Sequence, residues 1–123
     1  MKKILILEDD VDMVNILQIA LALKYDLKIV HEAKNIPAAL QGFTADLILL
    51  DNCIGLSKAS EVLKDIQGIK QYSKIPYILF SAHPNIEKIA LEIKANAFLP
   101  KPFNFKELFD CLTRVLDEVP AIS

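Results

Sequence analysis

Apolar residues in this chain occur in short runs that alternate with stretches of helical periodicity. Four runs, rich in isoleucine and leucine, have the length and character of strands that are buried on both faces, as in a parallel sheet. A shorter fifth run, residues 97–99, comes just before Pro100. The four longer runs are Ile4 to Leu7, Leu27 to Val30, Leu47 to Leu50 and Tyr77 to Phe80.

Between the runs, apolar residues recur at intervals of three and four, which is the spacing of one helix face. The most regular segment follows Asn104, and Glu107 three residues later has the position of a reciprocal capping partner. The stripes that predict helices are Phe105, Leu108, Phe109, Leu112, Val115 and Leu116; Met13, Ile16, Leu17 and Ala20; Val62, Leu63 and Ile66; and Ile86, Ile89, Ala90 and Ile93.

A less regular segment from Asn35 to about Phe43 is predicted as the remaining helix, with Asn35 as its cap and Pro37 in its first turn. The chain then contains five βα units, which predict a parallel sheet with right-handed crossovers and helices on both faces. The length of 123 residues fits one domain, which we predict at 1–119, followed by a short tail at 120–123.

Composition and charge exclude several classes of protein. The net charge is -2 and only one basic residue is an arginine, Arg114, which argues against direct binding to nucleic acid. No apolar stretch is long enough to span a membrane, and the basic start of the chain is followed by too few apolar residues for a signal peptide. The two cysteines, Cys53 and Cys111, lack the spacing of a metal or disulfide framework. We therefore expect a cytoplasmic protein with reduced thiols.

Polar residues follow the predicted strands, at the sheet edge where ligands bind in open α/β folds. Glu8, Asp9 and Asp10 come after the first run, and Asp51 comes after the third. Carboxylates that converge on one edge repel each other unless a cation is present, and oxygen ligands alone favour Mg²⁺ or Mn²⁺ over zinc. By itself such an acidic cluster is more often a solvated helix start.

Ser81 follows the fourth run and Lys101 follows the fifth. A hydroxyl, an ammonium group and a metal ion held by carboxylates form a site that suits a phosphoryl group, whose oxygens need several positive or donor contacts. An aspartate in that environment can itself be the nucleophile and form an acyl phosphate.

The segments KKILILEDD, ADLILLD, IPYILFSAH and FLPKPF, in this order and spacing, resemble the receiver domain of two-component response regulators. The resemblance covers essentially the whole chain. It implies a flavodoxin-like, doubly wound (βα)5 fold with a five-stranded parallel sheet of order 2-1-3-4-5. It also implies a signalling protein that catalyses only its own phosphotransfer and dephosphorylation.

The resemblance also assigns roles to individual residues. It implies that Asp51 accepts a phosphoryl group from a histidine kinase, a phosphotransfer protein or a small phosphodonor. Mg²⁺ would be held by Glu8, Asp9, Asp51 and the backbone carbonyl of Cys53. Ser81 and Lys101 would contact the phosphoryl group, and the bond between Lys101 and Pro102 would be cis.

Ser81 and Phe98 occupy the positions of the switch residues in this family. Phosphorylation would draw Ser81 inward and let Phe98 move, so that the surface of the fourth helix, fifth strand and fifth helix changes for a downstream protein target. Dimerisation through the fourth and fifth helices is left open. The chain after Leu116 is too short for a DNA-binding module, so we expect a receiver that acts alone.

Four positions depart from the family pattern. Glu8 replaces the commoner aspartate, and Ala97 replaces the polar residue or glycine that is common before the aromatic. Gly55 stands where proline is usual after the phosphorylation site, and Ala59 stands where glycine is usual at the start of the third helix. If that glycine needs a positive φ, Ala59 implies a rearranged loop.

Two other functions compete with a phosphorylated switch. A degenerate receiver would keep the fold and bind partners without phosphorylation, which the altered loop favours and the retained site residues oppose. A Mg²⁺-dependent phosphohydrolase with an aspartyl nucleophile would usually carry a second aspartate where this chain has Cys53. Flavin or dinucleotide binding is opposed by a total of three glycines, which cannot form a GxGxxG loop.

Overall fold

The computed structural model describes residues 1–121 and contains a five-stranded parallel sheet with the order β2-β1-β3-β4-β5. This confirms the predicted fold class and strand order. The strands are β1 (Lys3–Leu7), β2 (Asp26–Val30), β3 (Leu47–Asp51), β4 (Tyr77–Ser81) and β5 (Ala97–Pro100). The helices are α1 (Val11–Leu21), α2 (Ile36–Leu40), α3 (Ala59–Gln67), α4 (Ile86–Glu92) and α5 (Phe105–Ala121).

The sheet separates two apolar layers, because successive residues of a strand point to opposite faces. In β1, Ile4 and Ile6 belong to the layer that α1 and α5 cover, while Leu5 and Leu7 belong to the layer under α2, α3 and α4. All four of these side chains have no solvent exposure. The central strands are therefore held in place by packing on both faces of the sheet, and this packing also fixes the positions of their carboxyl ends.

The N-terminus of α5 has the predicted reciprocal cap. The Asn104 side chain accepts a hydrogen bond from the Glu107 amide at 2.8 Å, and the Glu107 carboxylate accepts one from the Asn104 amide at 3.0 Å. The pair satisfies two amides that the helix itself cannot. This fixes the start of α5 close to the end of β5.

The predicted apolar stripe of α1 is wrong in part. The helix buries Val14, Leu17 and Leu21, whose spacing of three and four directs them toward the sheet. Ile16 is 43% exposed, and Met13 is only partly buried. The prediction included apolar residues that lie on the outer side of α1, because hydrophobicity alone does not distinguish a core position from an exposed one.

The second helix is shorter than predicted. It covers Ile36–Leu40, after which Gln41 is extended and Gly42 has a φ of +79°. Asn35 ends a 3₁₀ turn with φ -91° and ψ -3°, so its backbone is not extended as a capping residue requires, and its side chain makes no cap hydrogen bond. The prediction that Asn35 caps a helix reaching Phe43 is therefore wrong, although Pro37 does lie in the first turn.

At the other end of the chain, α5 continues to Ala121. The first two residues of the predicted tail at 120–123 therefore belong to the helix, and the last two lie outside the described residues. Within residues 1–121, no helix has the length and apolar character needed to cross a bilayer.

The end of α4 requires a left-handed residue, and the chain provides a lysine there. Lys94 has a φ of +59°, and the Lys94 amide donates to the Leu91 carbonyl at 3.2 Å while the Ala95 amide donates to the Ala90 carbonyl at 2.9 Å. These two bonds form a Schellman motif, in which glycine is the usual residue at this position. A Cβ in this conformation is disfavoured.

We predict that Lys94→Gly raises the free energy of unfolding by about 1 kcal/mol, because glycine adopts a positive φ without steric cost. The urea midpoint of the variant measures the change. Glu92→Gly, in the right-handed last turn of the same helix, is the control and should instead lower the midpoint. A lower midpoint for Lys94→Gly would contradict the assigned backbone conformation.

Candidate functional site

The carboxyl ends of the four strands β1, β3, β4 and β5 bring the predicted site residues to one edge of the sheet. Leu7 of β1 lies beside Leu50 of β3, so Glu8 and Asp51 leave adjacent strands at the same level. Ser81 ends β4, and its carbonyl accepts a hydrogen bond from the Lys101 amide at 2.9 Å. Residues that are far apart in the sequence thus line a single site.

Three carboxylates form a cluster at this edge. Glu8, Asp9 and Asp51 each offer an oxygen atom, and these oxygens all lie within 4.8 Å of one another. Glu8 is completely buried, Asp51 is partly buried and Asp9 is exposed. The group has the composition and spacing of a site for a divalent cation such as Mg²⁺. Asp10, the next acid in the sequence, instead caps α1 by accepting hydrogen bonds from the amides of residues 12 and 13.

Lys101 supplies the positive charge of the site. Its Nζ atom lies 2.7 Å from Oε1 of Glu8 and 3.4 Å from Oδ2 of Asp51, and 4.6 Å from the centre of the Phe80 ring. The bond between Lys101 and Pro102 is cis, as expected. The ammonium group therefore bridges the carboxylates of two neighbouring strands, with an aromatic ring beneath it.

Glu8 has an unusual acidity in this setting. Burial, followed by the neighbouring Asp51, raises the pKa of its carboxyl group to about 8, although Lys101 acts in the opposite direction. A carboxylate without contact to water is costly unless positive charge compensates it. The site therefore favours either a proton or a cation at Glu8.

The loop after β3 forms a short antiparallel hairpin, with strands Cys53–Ile54 and Ser57–Lys58. Gly55 has a φ of +62° and is the first residue of the two-residue turn, which is the position that glycine takes in a type II′ turn. The Gly55 amide donates a hydrogen bond to Oδ2 of Asp9 at 2.9 Å. The loop is thereby attached to the carboxylate cluster.

The hairpin explains how the chain accommodates Ala59 in place of glycine. Ala59 starts α3 with no positive φ, and its amide donates to the Asn52 carbonyl at 2.7 Å, closing the hairpin. The left-handed residue of this loop is Gly55. The sequence indicated a rearranged loop but not a hairpin, although two residues beginning with glycine between short extended segments are a recognised hairpin signal.

The hairpin geometry also bears on Cys53. Because the Asn52 carbonyl accepts from Ala59, Cys53 and Lys58 form the next pair of the ladder, which is a pair without mutual hydrogen bonds. The ladder therefore does not use the Cys53 carbonyl, which is the atom predicted to bind the metal.

Ser81 and Phe98 lie in neighbouring strands with different surroundings. Ser81 is 5% exposed, and its Oγ accepts a hydrogen bond from the His83 amide at 3.0 Å. Phe98 lies opposite Leu79 in the sheet, is 37% exposed and lines the same cavity as Arg114 of α5. The ring thus lines the surface formed by α4, β5 and α5, with a cavity of about 430 Å³ next to it.

Sequence comparison extends these observations. The chain matches the response regulator receiver domain family over residues 4–113. The transcriptional regulatory protein KdpE of Staphylococcus aureus is 38% identical over 109 residues, which cover 86% of this chain and 46% of that protein. CpxR of Klebsiella pneumoniae is 29% identical, with 94% of this chain and 50% of that protein covered. The chain spans about half the length of these relatives.

Solved structures have the same fold. The CheY-like receiver from Methanospirillum hungatei superposes with a TM-score of 0.86 at 22% identity, covering 100% of this chain and 99% of that one. The receiver domain of the sensor histidine kinase PA1611 from Pseudomonas aeruginosa gives 0.83 at 22% identity, with 94% and 98% covered, and contains a magnesium ion in its active site cleft. Since the family match extends over most of its length, the chain belongs to the response regulator receiver domain family.

Proposed function

We propose that this chain is a phosphorylatable receiver, in which Asp51 accepts a phosphoryl group from a phosphohistidine donor and a protein-binding surface changes in response. The observation that carries the proposal is the joint position of Asp51 and Lys101, with their charged atoms 3.4 Å apart beside two further carboxylates. A negatively charged phosphoryl group at Asp51 requires this kind of positive and donor surroundings.

In the proposed reaction, a carboxylate oxygen of Asp51 attacks the phosphorus atom, and the bond from phosphorus to the histidine nitrogen of the donor breaks. The imidazole leaves and takes up a proton, and Asp51 becomes an acyl phosphate. A bound Mg²⁺ ion would neutralise charge on the phosphoryl oxygens and orient them. Lys101 would move its ion pair from Asp51 to the new phosphoryl oxygens.

The metal would be held by Glu8, Asp9, Asp51 and the Cys53 carbonyl. The fit rests on the donor set, which consists of oxygens alone, and on the buried charge of Glu8, which a cation would compensate. Asp9 would bind with the carboxylate that also accepts the Gly55 amide, so the hairpin orients this ligand.

We propose that Ser81 couples phosphorylation of Asp51 to a change in the surface formed by α4, β5 and α5. Its hydroxyl lies at the end of β4 and would donate to a phosphoryl oxygen, which draws the following loop inward. Phe98 on the adjacent strand would then change its exposure. A protein target would bind the surface of α4, β5 and α5, and the donor would be a histidine kinase or a phosphotransfer protein, with which receiver domains interact.

A second candidate is a receiver that binds partners without phosphorylation. One observation favours it: the high pKa of Glu8 makes a proton a competitor of the metal. The retained Asp51, Ser81 and Lys101 oppose it.

We predict that the chain, incubated with Mg²⁺ and acetyl phosphate, gains the mass of one phosphoryl group in intact mass spectrometry. Asp51→Asn should abolish the adduct, since the amide is not a nucleophile for this transfer, and EDTA should do the same. Asp26→Asn, at the start of β2, is the matched control and should retain the adduct. An adduct on Asp51→Asn, or none on the unchanged chain, would decide against the phosphorylatable receiver.

We also predict a pH dependence of stability that originates at Glu8. Its folded pKa of about 8 exceeds the unfolded value of 4.5, so the folded state binds the proton more tightly. The stabilisation is therefore complete below the unfolded pKa and is lost as the pH rises through the folded one. In EDTA, the free energy of unfolding should fall by an amount on the order of a few kcal/mol between about pH 5 and pH 9.

Urea unfolding of Glu8→Gln measures this contribution, because glutamine cannot ionise, and its stability should change less over the same range. Glu61→Gln, an exposed acid on α3, should behave like the unchanged chain. Added Mg²⁺ should restore stability at high pH in the unchanged chain and not in Glu8→Gln. Equal pH profiles for the two would show that Glu8 is ionised throughout.

A further inference from the structure

An open groove lies between α2 and α3, on the side of the molecule covered by neither α1 nor α5. It encloses about 340 Å³, and its floor consists of aliphatic side chains from both helices and from the segment that follows α3. The helix α2, which forms one wall of the groove, has only five residues. The residues that form the floor are Ile36, Leu40, Val62, Ile66 and Ile69.

The rim of the groove is acidic. Glu61 and Asp65 are exposed and lie one helical turn apart on α3, and neither has an ion-pair partner within the described part of the chain. The basic residue of the rim, Lys34, is paired with Glu32 at 3.2 Å. The groove therefore combines an apolar floor with two uncompensated negative charges.

Charge is segregated around α3. Lys58 and Lys64 line the depressions between α3 and α4, on the opposite side from the groove. The acids thus project toward α2 and the lysines toward α4. Two acids without an ion-pair partner, on the same side of α3, attract a partner segment that carries positive charge.

We infer that this groove is a docking site for an amphipathic helical segment of a partner protein, with two basic residues one turn apart and apolar residues on the same face. The bases would pair with Glu61 and Asp65, and the apolar side chains would fill the floor. The volume accommodates a few aliphatic side chains, and none of the described residues that line the groove is a buried polar residue that would orient a small polar ligand. The site lies apart from the carboxylate cluster, and the inference is independent of phosphorylation.

The test uses the unmodified chain and an acetylated, amidated Leu/Lys peptide of about 14 residues, with lysines at positions i and i+4 of the helix. In two-dimensional ¹⁵N NMR spectra, we expect the peptide to shift the amides of Ser57, Glu61, Asp65 and Ile69 more than those elsewhere. A peptide of the same composition in scrambled order should produce no such pattern. Shifts confined to other faces, or none, would overturn the proposal.

Charge-reversal variants separate a specific site from general attraction. Glu61→Lys with Asp65→Lys should weaken peptide binding by about tenfold or more. Glu87→Lys with Glu92→Lys, on α4, makes the same change in net charge and should leave binding unchanged. Equal weakening by both pairs would overturn the proposal, and so would concentration-dependent shifts at the groove without peptide, since these would identify a second copy of the chain as the occupant.

Discussion

Repulsion between carboxylates at one edge of the sheet is the constraint on which the site depends. The parallel sheet brings Glu8, Asp9 and Asp51 together, because the carboxyl ends of the adjacent strands β1 and β3 lie at the same edge. Lys101 compensates part of this charge from a strand two positions beyond β3. One ammonium group cannot balance three carboxylates. The remaining negative charge is compensated by a proton or by a cation, which compete for the site. Affinity for metal and sensitivity to pH thus have the same origin.

The hairpin after β3 shows how a local change of sequence is absorbed without loss of the site. A left-handed backbone conformation is sterically unfavourable for the alanine at the start of α3. The positive φ of this loop is found at Gly55 instead. The added turn directs the Gly55 amide to Asp9, so the loop is held by an acid of the site. Cys53 keeps a carbonyl that the hairpin does not use.

The sequence predicts most of the sheet and of the site because buried strands and strand ends have strong signals. Long apolar runs are nearly continuous only where both faces are covered, and polar residues that follow them mark the functional edge. Three predictions were wrong: the buried face of α1, the length of α2 and the helix cap at Asn35. In each case the outcome depends on tertiary packing or backbone geometry, which single-residue patterns do not specify. The acidity of Glu8 likewise arises from burial, and burial is not visible in the sequence.

The hairpin connects the two sites of the molecule. Its turn contacts the carboxylate cluster through Gly55, while Ser57, on its second strand, lines the groove between α2 and α3. The first residue of α3 follows this strand directly, so the helix that carries Glu61 is covalently continuous with the loop that orients Asp9. A segment bound in the groove could change the affinity of the carboxylate cluster for the metal by altering the hairpin. Linkage then requires that the metal change the affinity of the groove for the segment by the same factor. A substitution at Gly55 that alters the turn would therefore affect both the carboxylate cluster and the groove.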